Sequence, residues 1–349
     1  MPVPISTEPF VIDCRCASAI PVEVWEAFKS DPRTSNIMLP HALKWLGQEH
    51  AGHTPPPDQL WLVCATYASH FHVHSSSSPP LTVDFVLSCT EHAMGKYPVF
   101  IWTPHLNLST EFIIPRVRLL AKKLRAAVPV PRVFSVFAPD DIANAFVAEW
   151  SKLTGIRTVS EPYYHAKFAV CNQRTFRNKS LTVQEGYVFE LRPATPADLD
   201  GVAELCHGFA DQSEPFVLSH AEARREAQLL IQNRQVWVHC VVRDGVRGVA
   251  SIVAFTRVSD TAAAITKVYT NPQWRRLGCA ERLVRRVCRD LLRKYSGIVL
   301  YVGHNNSAAR VYDRVGFVGL GPGSYRPGVP VQSWIEIGFD RQQVNLGHW

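Results

Sequence analysis

The sequence predicts an α/β (α+β) fold built as two copies of one unit, each a mixed, mostly antiparallel twisted sheet flanked by helices. Three observations carry this expectation. The same order of strand-like and helix-like periodicities is read on either side of Gly186, at an offset of roughly 160 to 180 residues, about one domain length. Between the copies, NQRTFRNKSLTVQE loses its apolar periodicity and turns polar, as a linker does. A chain of 349 residues, 46% hydrophobic and 19% charged, can also bury two ordinary cores, which excludes disorder as its main state. The expected division is 1–171, a linker over 172–186, and 187–349.

In the first copy, FVIDCRC from Phe10 alternates as a strand and a helix follows Pro21. Cys14 and Cys16, two apart, are expected on one sheet face. LWLVCATY, LTVDFVLSCT and YPVFIWT read as three strands. A helix from about Ser109 to Ala126 precedes strand RVFSVFA, a helix from Asp140 to Leu153 stops at Gly155, and YYHAKFAVC closes the copy. Pro55-Pro56-Pro57 and the stretch from Ser75 to Pro80 are loop insertions without a counterpart in the second copy.

In the second copy, VFELRPAT is a strand, and Thr195-Pro196-x-Asp198 opens a helix with Pro in its first turn. A second helix runs from Ser219 or His220 to about Gln232. Strands QVWVHCVVR, GVASIVAFTRV and AAAITKVYT follow. In the next helix, from about Cys279 to Lys294, Leu283, Val284, Val287, Cys288, Leu291 and Leu292 share one face, and Arg282, Arg285, Arg286, Arg289 and Arg293 fall off it. Strand GIVLYVGH ends at His304, a helix spans about Ser307 to Val315, and SWIEIGF closes the second copy.

The first 30 residues contain Pro2, Pro4, Glu8, Asp13 and Arg15 and no continuous apolar stretch, so neither a secretory signal nor a membrane anchor is expected. No later segment has the roughly 20 apolar residues that a membrane-spanning helix needs. Nine cysteines without a CxxC pair read as reduced thiols, and the expected compartment is the cytoplasm. The net charge of +7 is unevenly placed: from Arg275 to Lys294 there are eight Lys and Arg against Glu281 and Asp290. A solvated helix face, a nucleic-acid patch and a site for a small phosphorylated ligand all fit that cluster, and composition does not choose among them.

The turn VYTNPQWRRLGCAERL narrows the choice. Arg275-x-x-Gly278-x-Ala280 sits between a strand and a helix start, where inward backbone N–H groups and a glycine that permits close approach form a cradle for pyrophosphate. On the following helix, Asn306, Ala309 and Tyr312 recur at one-turn spacing along one face, ahead of Gly316-Phe317. With these two motifs in this order, the stretch from about Val188 to Asp340 resembles the GNAT N-acetyltransferase superfamily. The first copy, whose corresponding turn TPHLNLSTEF lacks Gly and Arg-x-x-Gly-x-Ala and which has Trp150 or Ser151 in the place of Tyr312, resembles a degenerate unit of the same fold.

The resemblance implies acetyl-CoA as co-substrate and direct transfer of its acetyl group to a small amine or peptide acceptor. The amides of Arg275, Arg276, Leu277, Gly278, Cys279 and Ala280 would form the pyrophosphate cradle. Val268, Tyr269 and Thr270 would line the strand edge that pairs with the pantetheine arm, with Asn306 and Ala309 also against the cofactor. Tyr312 would protonate the departing thiolate, and a backbone N–H such as that of Val268 or Tyr269 would hold the oxyanion. Cys279 reads as a small packing residue. The family's usual strand carboxylate is missing, since AAAITKVYT offers only Thr266 and Lys267. His304 is the first candidate for the base, acting through water, with Asp211, Glu214 and His207 as alternatives.

His70, His72 and His74 alternate in HFHVH and would share one strand face, but they abut a Ser run; a solvated strand end is expected, and no metal. The Arg-rich helix lacks interleaved aromatics, so nucleic acid is not an expected partner. A non-catalytic acyl-CoA-binding sensor or interaction protein is the rival reading. Acceptor identity, acyl length and oligomeric state are not written in the sequence.

Overall fold

The computed structural model describes residues 8–67, 81–179, 186–243, 245–322, 324 and 331–348. His70, His72 and His74 lie outside the described residues. Two compact units are present, Met1–Tyr164 with Trp334–Trp349, and His165–Ser333. These units do not follow the sequence boundary. The last strand of each half belongs almost entirely to the other unit.

The first unit contains β1 (Phe10–Cys14), α1 (Val22–Ser30), α2 (Leu39–His50), β2 (Leu60–Tyr67), β3 (Leu81–Cys89), a short hairpin of β4 (Glu91–His92) and β5 (Gly95–Lys96), β6 (Val99–Trp102), α3 (Thr110–Ala127), β7 (Ser135–Pro139) and α4 (Asp140–Thr154). After β8 (Tyr164–Cys171) the chain builds the second unit from β9 (Val188–Pro193), α5 (Leu199–Ala210), α6 (His220–Gln232), β10 (Val236–Arg243), β11 (Val246–Val258), β12 (Ala262–Thr270), α7 (Cys279–Leu291), β13 (Gly297–Gly303) and α8 (Ala309–Val315). It then returns through β14 (Gln332–Gly338).

Strand order in the first unit is β1-β2-β3-β6-β7-β14, and in the second β9-β10-β11-β12-β13-β8. The two orders match position for position. Among the described residues each unit has one parallel pair, β6 with β7 and β12 with β13, and its other described strand pairs are antiparallel. The expected mixed, mostly antiparallel sheets are therefore present twice.

Local chemistry explains where several elements start and stop. The Ser219 side chain accepts from the Glu222 amide while Glu222 Oε2 accepts from the Ser219 amide at 2.8 Å, a reciprocal cap that opens α6. Asp140 and Asp141 lie in the first turn of α4, where negative charge offsets the helix dipole, and Gly155 at φ +78° ends it. Leu283, Val284, Val287, Cys288 and Leu291 of α7 are buried against β-strand residues such as Ala263, Val253 and Ile298, as the periodicity required.

Four details differ from the sequence reading. The region after Pro21 holds two helices, α1 and α2. Cys16 lies beyond the end of β1, leads into a short 3-10 turn and is half-buried, so it does not share a sheet face with Cys14. Arg285, assigned to the solvent side of α7, is 3% exposed because Glu281 and the carbonyls of Arg177 and Arg314 accept its guanidinium. The described start of the linker is fastened to α7: Gln173 Nε2 donates to Leu292 O at 3.0 Å, and Arg289 donates to Asn178 Oδ1 at 2.7 Å. All nine cysteines are free thiols.

Candidate active site

Strand β12 pairs with β13 only over Ala262–Ala264 opposite Gly297–Val299. Beyond that point the register of β12 with β11 skips Thr266, a bulge that bends the strand where the parallel pairing stops. β13 continues alongside β8 as far as Gly303, while the 265–270 segment of β12 stays with β11. The two strands thus part, and among the described residues no strand pairs with the far edge of β12 beyond Ala264, so that edge is open there.

Alternation decides which backbone groups line that edge. The Asn271 amide donates to Ala250 O at 2.9 Å, which makes the pair Asn271 with Ala250 a hydrogen-bonded one and, by the antiparallel pattern, Tyr269 with Ile252 the next. Val268 and Thr270 therefore turn their main-chain groups away from β11 to the open edge. Arg275 Nε donates to Thr270 O at 3.2 Å, consistent with that orientation. The backbone of Tyr269 is committed to β11, and Ser251 Oγ also donates to its carbonyl at 2.8 Å. Of the two amides considered for the oxyanion, only that of Val268 faces the edge.

The side chains of the same strand sort onto opposite faces. Lys267 and Tyr269 face α5 and α6: the Lys267 ammonium meets Glu226 of α6, and a Cβ on Gly208 of α5 would fall 2.8 Å from the Tyr269 hydroxyl. Val268 packs on the other face, against the cluster of α7 and α8 residues that includes Tyr312.

At the end of the open edge the chain enters α7. Arg276 (φ +65°) and Gly278 (φ +72°) adopt left-handed conformations, and Gly278 is the N-cap of this 13-residue helix. The first-turn amides of a helix have no intrahelical acceptor, so those following Gly278 present N–H groups and the positive end of the dipole. Arg275, Arg276 and Gly278 are exposed, Leu277 and Ala280 partly so. Arg282 donates to Leu277 O and stacks 4.5 Å over Phe189, bracing the turn. Cys279 is 2% exposed and packs with Val241 and Ala250, and burial pushes its thiol up. It is a packing residue in this environment.

Tyr312 is 7% exposed and makes an edge contact with Phe317, ring centroids 5.7 Å apart. Asn306 Oδ1 accepts from the Ala308 amide at 2.9 Å, so its side chain helps to start α8, and Ala309 is the first residue of that helix. His304 follows Leu300 and Val302 in alternation, both members of the Tyr312 cluster. Its Nε2 lies 2.7 Å from Ser333 Oγ, which is also 3.0 Å from His165 Nε2, and the two imidazoles are 4.3 Å apart. His207 sits elsewhere, on α5, stacked on His220 at 4.0 Å and 3.2 Å from Asp211.

The arginines of α7 and of the turn just after it are mostly engaged with protein groups. Arg286 and Arg293 both pair with Asp290. Glu281 accepts from Arg285 and Arg314, each at 2.6 Å. Burial alone would raise the Glu281 carboxyl, but the two guanidinium hydrogen bonds outweigh it and hold the group below its usual range. Among the described residues no group of three or more His, Cys, Asp or Glu is placed to hold a metal, and no helix is long and apolar enough to cross a membrane.

The matching place in the first unit is built differently. Ser109 before α3 has φ −80°, and no left-handed glycine opens the helix. Arg116 donates to buried Asp84 at 2.8 Å with its guanidinium 3.6 Å over Phe112, and Thr103 Oγ1 donates to Asp84 O at 2.7 Å. Trp150 is fully buried, stacked on Phe146.

Sequence reasoning passed over Glu226. Its signal was an acid on the inward face of α6, three residues after buried Ala223 and four before buried Leu230.

Comparison with known proteins agrees with this architecture. Residues 232–319 match the acetyltransferase (GNAT) domain family. A tandem GNAT protein from the clavulanic acid biosynthesis pathway is similar in structure over 95% of this chain and 98% of its own, at 12% identity and a TM-score of 0.50. A GCN5-related N-acetyltransferase from Sphaerobacter thermophilus is similar over 96% of this chain and 98% of its own, at 12% identity and a TM-score of 0.54. No curated protein matches the sequence. Residues 232–319 thus match a GNAT domain, and the chain as a whole has the fold of these two structures.

Proposed function

We propose that this protein is an acyl-CoA-dependent N-acyltransferase, with acetyl-CoA as co-substrate, and that its active site is in the second unit. One observation carries the reading: the open edge of β12 runs directly into a left-handed glycine turn and a helix N-terminus. An extended thioester arm satisfies the main-chain groups of Val268 and Thr270, and the amides from Arg275 to Ala280 receive its pyrophosphate. The thioester supplies an activated acyl carbon. Val268 N–H holds the charge that develops on its oxygen, and Tyr312 gives a proton to the sulfur as an amine attacks. No covalent enzyme intermediate is needed, in keeping with the buried, protonated Cys279.

The acceptor is an amine admitted from the face of α5 and α6. The test is titration calorimetry with CoA and acetyl-CoA, followed by amine-dependent release of the CoA thiol across a panel of primary amines. Binding with release supports the enzyme. Binding without release for any amine favours an acyl-CoA sensor, and no binding removes both.

A further inference from the structure

The strand before the cradle carries no carboxylate, yet one reaches it from another element. Glu226, on α6, places Oε1 and Oε2 at 2.7 and 2.6 Å from Lys267 Nζ. The two side chains are only 15% and 10% exposed, and the ammonium lies 4.8 Å over the Phe209 ring. Beside them the Cys206 thiol is pushed up to about 12, chiefly by burial, so it stays protonated. An ion pair this sheltered is weak evidence for stability, because desolvation offsets most of the attraction. Its position suggests another use. Lys267 immediately precedes Val268, whose amide faces the open edge.

The geometry points to Glu226 as the group that takes the proton an acceptor ammonium must shed, with Lys267 as the positioning residue that holds the carboxylate at this register. This rests on the acyl-transfer reading. Two facts favour Glu226 over His304. Tyr312, the proton donor to the leaving sulfur, belongs to the face of α7 and α8, so the attacking nitrogen enters from the opposite face, where Glu226 and Lys267 lie. His304 falls on the Tyr312 face, with Ser333 and His165 against it. The carboxylate keeps acceptor capacity, since two of its roughly four lone-pair sites face Lys267.

In the step itself, one N–H bond of the ammonium breaks and its proton passes to Glu226, freeing the nitrogen lone pair. The C–N bond forms as the C–S bond breaks. The sulfur receives the Tyr312 proton, and the tyrosine oxygen recovers one from the acylated nitrogen. Glu226 returns its proton to water, so the sum is ammonium plus thioester giving amide, thiol and one proton.

The test compares pH profiles of kcat/KM for a primary amine, from pH 6 to 10, in the full-length wild type and Glu226→Gln, alongside acetyl-CoA affinity. Glu226→Gln is expected to lose about 100-fold at pH 7, to recover as free amine becomes abundant at high pH, and to bind acetyl-CoA unchanged. Glu226→Asp should restore part of the loss. If the single variant misfolds with Lys267 unpaired, Glu226→Gln combined with Lys267→Met removes both charges and carries the same expectation. A wild-type profile in the Gln variant, or a flattened profile in His304→Gln alone, overturns the role of Glu226. Absence of amine-dependent thiol release by the wild type overturns the acyl-transfer reading itself, and this role with it.

Discussion

Arg314 Nε donates to Glu281 Oε2 at 2.6 Å, so the helix that carries Tyr312 is tied to the first turn of the helix that Gly278 opens. The same carboxylate receives Arg285, whose guanidinium is nearly inaccessible. One acid thus sets both the start of α7 and the approach of α8, at a helix position where negative charge is already favoured.

Glu281→Ala should therefore destabilise the protein by about 3 kcal/mol, the lower range for removing one partner of a buried charge pair. The readout is the denaturant midpoint. An unchanged midpoint would mean that the carbonyls of Arg177 and Arg314 suffice for Arg285.

Gly278→Val should abolish CoA binding in calorimetry. A β-branched residue at φ +72° forces the turn to rearrange, and a side chain there stands before the first-turn amides. Gly278→Ala is milder: its Cβ would sit 3.6 Å from the Arg282 guanidinium, an ordinary contact, leaving backbone strain of about 1 kcal/mol. Equal affinity in both variants would detach this turn from ligand binding.

Tyr312→Phe should lower kcat by about 100-fold while leaving acetyl-CoA affinity in place. The ring keeps its edge contact with Phe317 and its neighbours in the core. Undiminished turnover would remove the hydroxyl from the mechanism.

Acid stability should fall within a defined window. His239 is fully buried on β10 with both ring nitrogens unpartnered, and burial, then the nearby Arg282 charge, lowers its pKa to about 4. Above pH 6.5 neither the native nor the unfolded imidazole is protonated. Between pH 6.5 and 4 the unfolded chain takes up a proton that the native site refuses, so stability is lost as pH falls, by about 3 kcal/mol in total. His41 in the first unit, lowered to about 3 mainly by burial, extends the loss downward. His239→Phe should flatten the upper part of the curve in urea titrations at stepped pH, and an unaltered slope would assign the loss to other groups.

What could be read in the sequence was what is local. The Arg275 to Ala280 turn, the apolar stripe of α7 and the Thr195 and Ser219 helix starts are set by residues within one or two turns of each other, and they stand where periodicity and capping rules put them. Long-range partners were invisible. Lys267 and Glu226 are 41 residues apart, and a lone acid on a helix gives no hint of the strand it will meet. Arg285 looked like a surface residue because its acceptors include backbone carbonyls from two distant segments. Val268 and Tyr269 could not be told apart until the β11 register was known, since one residue of slip exchanges which amide faces the edge.

The second unit takes β8 from ahead of the linker and surrenders β14. A gene cut inside residues 180–185 would thus yield a C-terminal fragment whose β13 had lost the partner it holds from Ile298 to Gly303, a six-residue bare edge prone to aggregate. The second unit alone is therefore expected to be insoluble when cut at that point. Co-expression of both fragments should recover soluble material where either alone does not, because each unit draws one of its strands from the other half of the sequence.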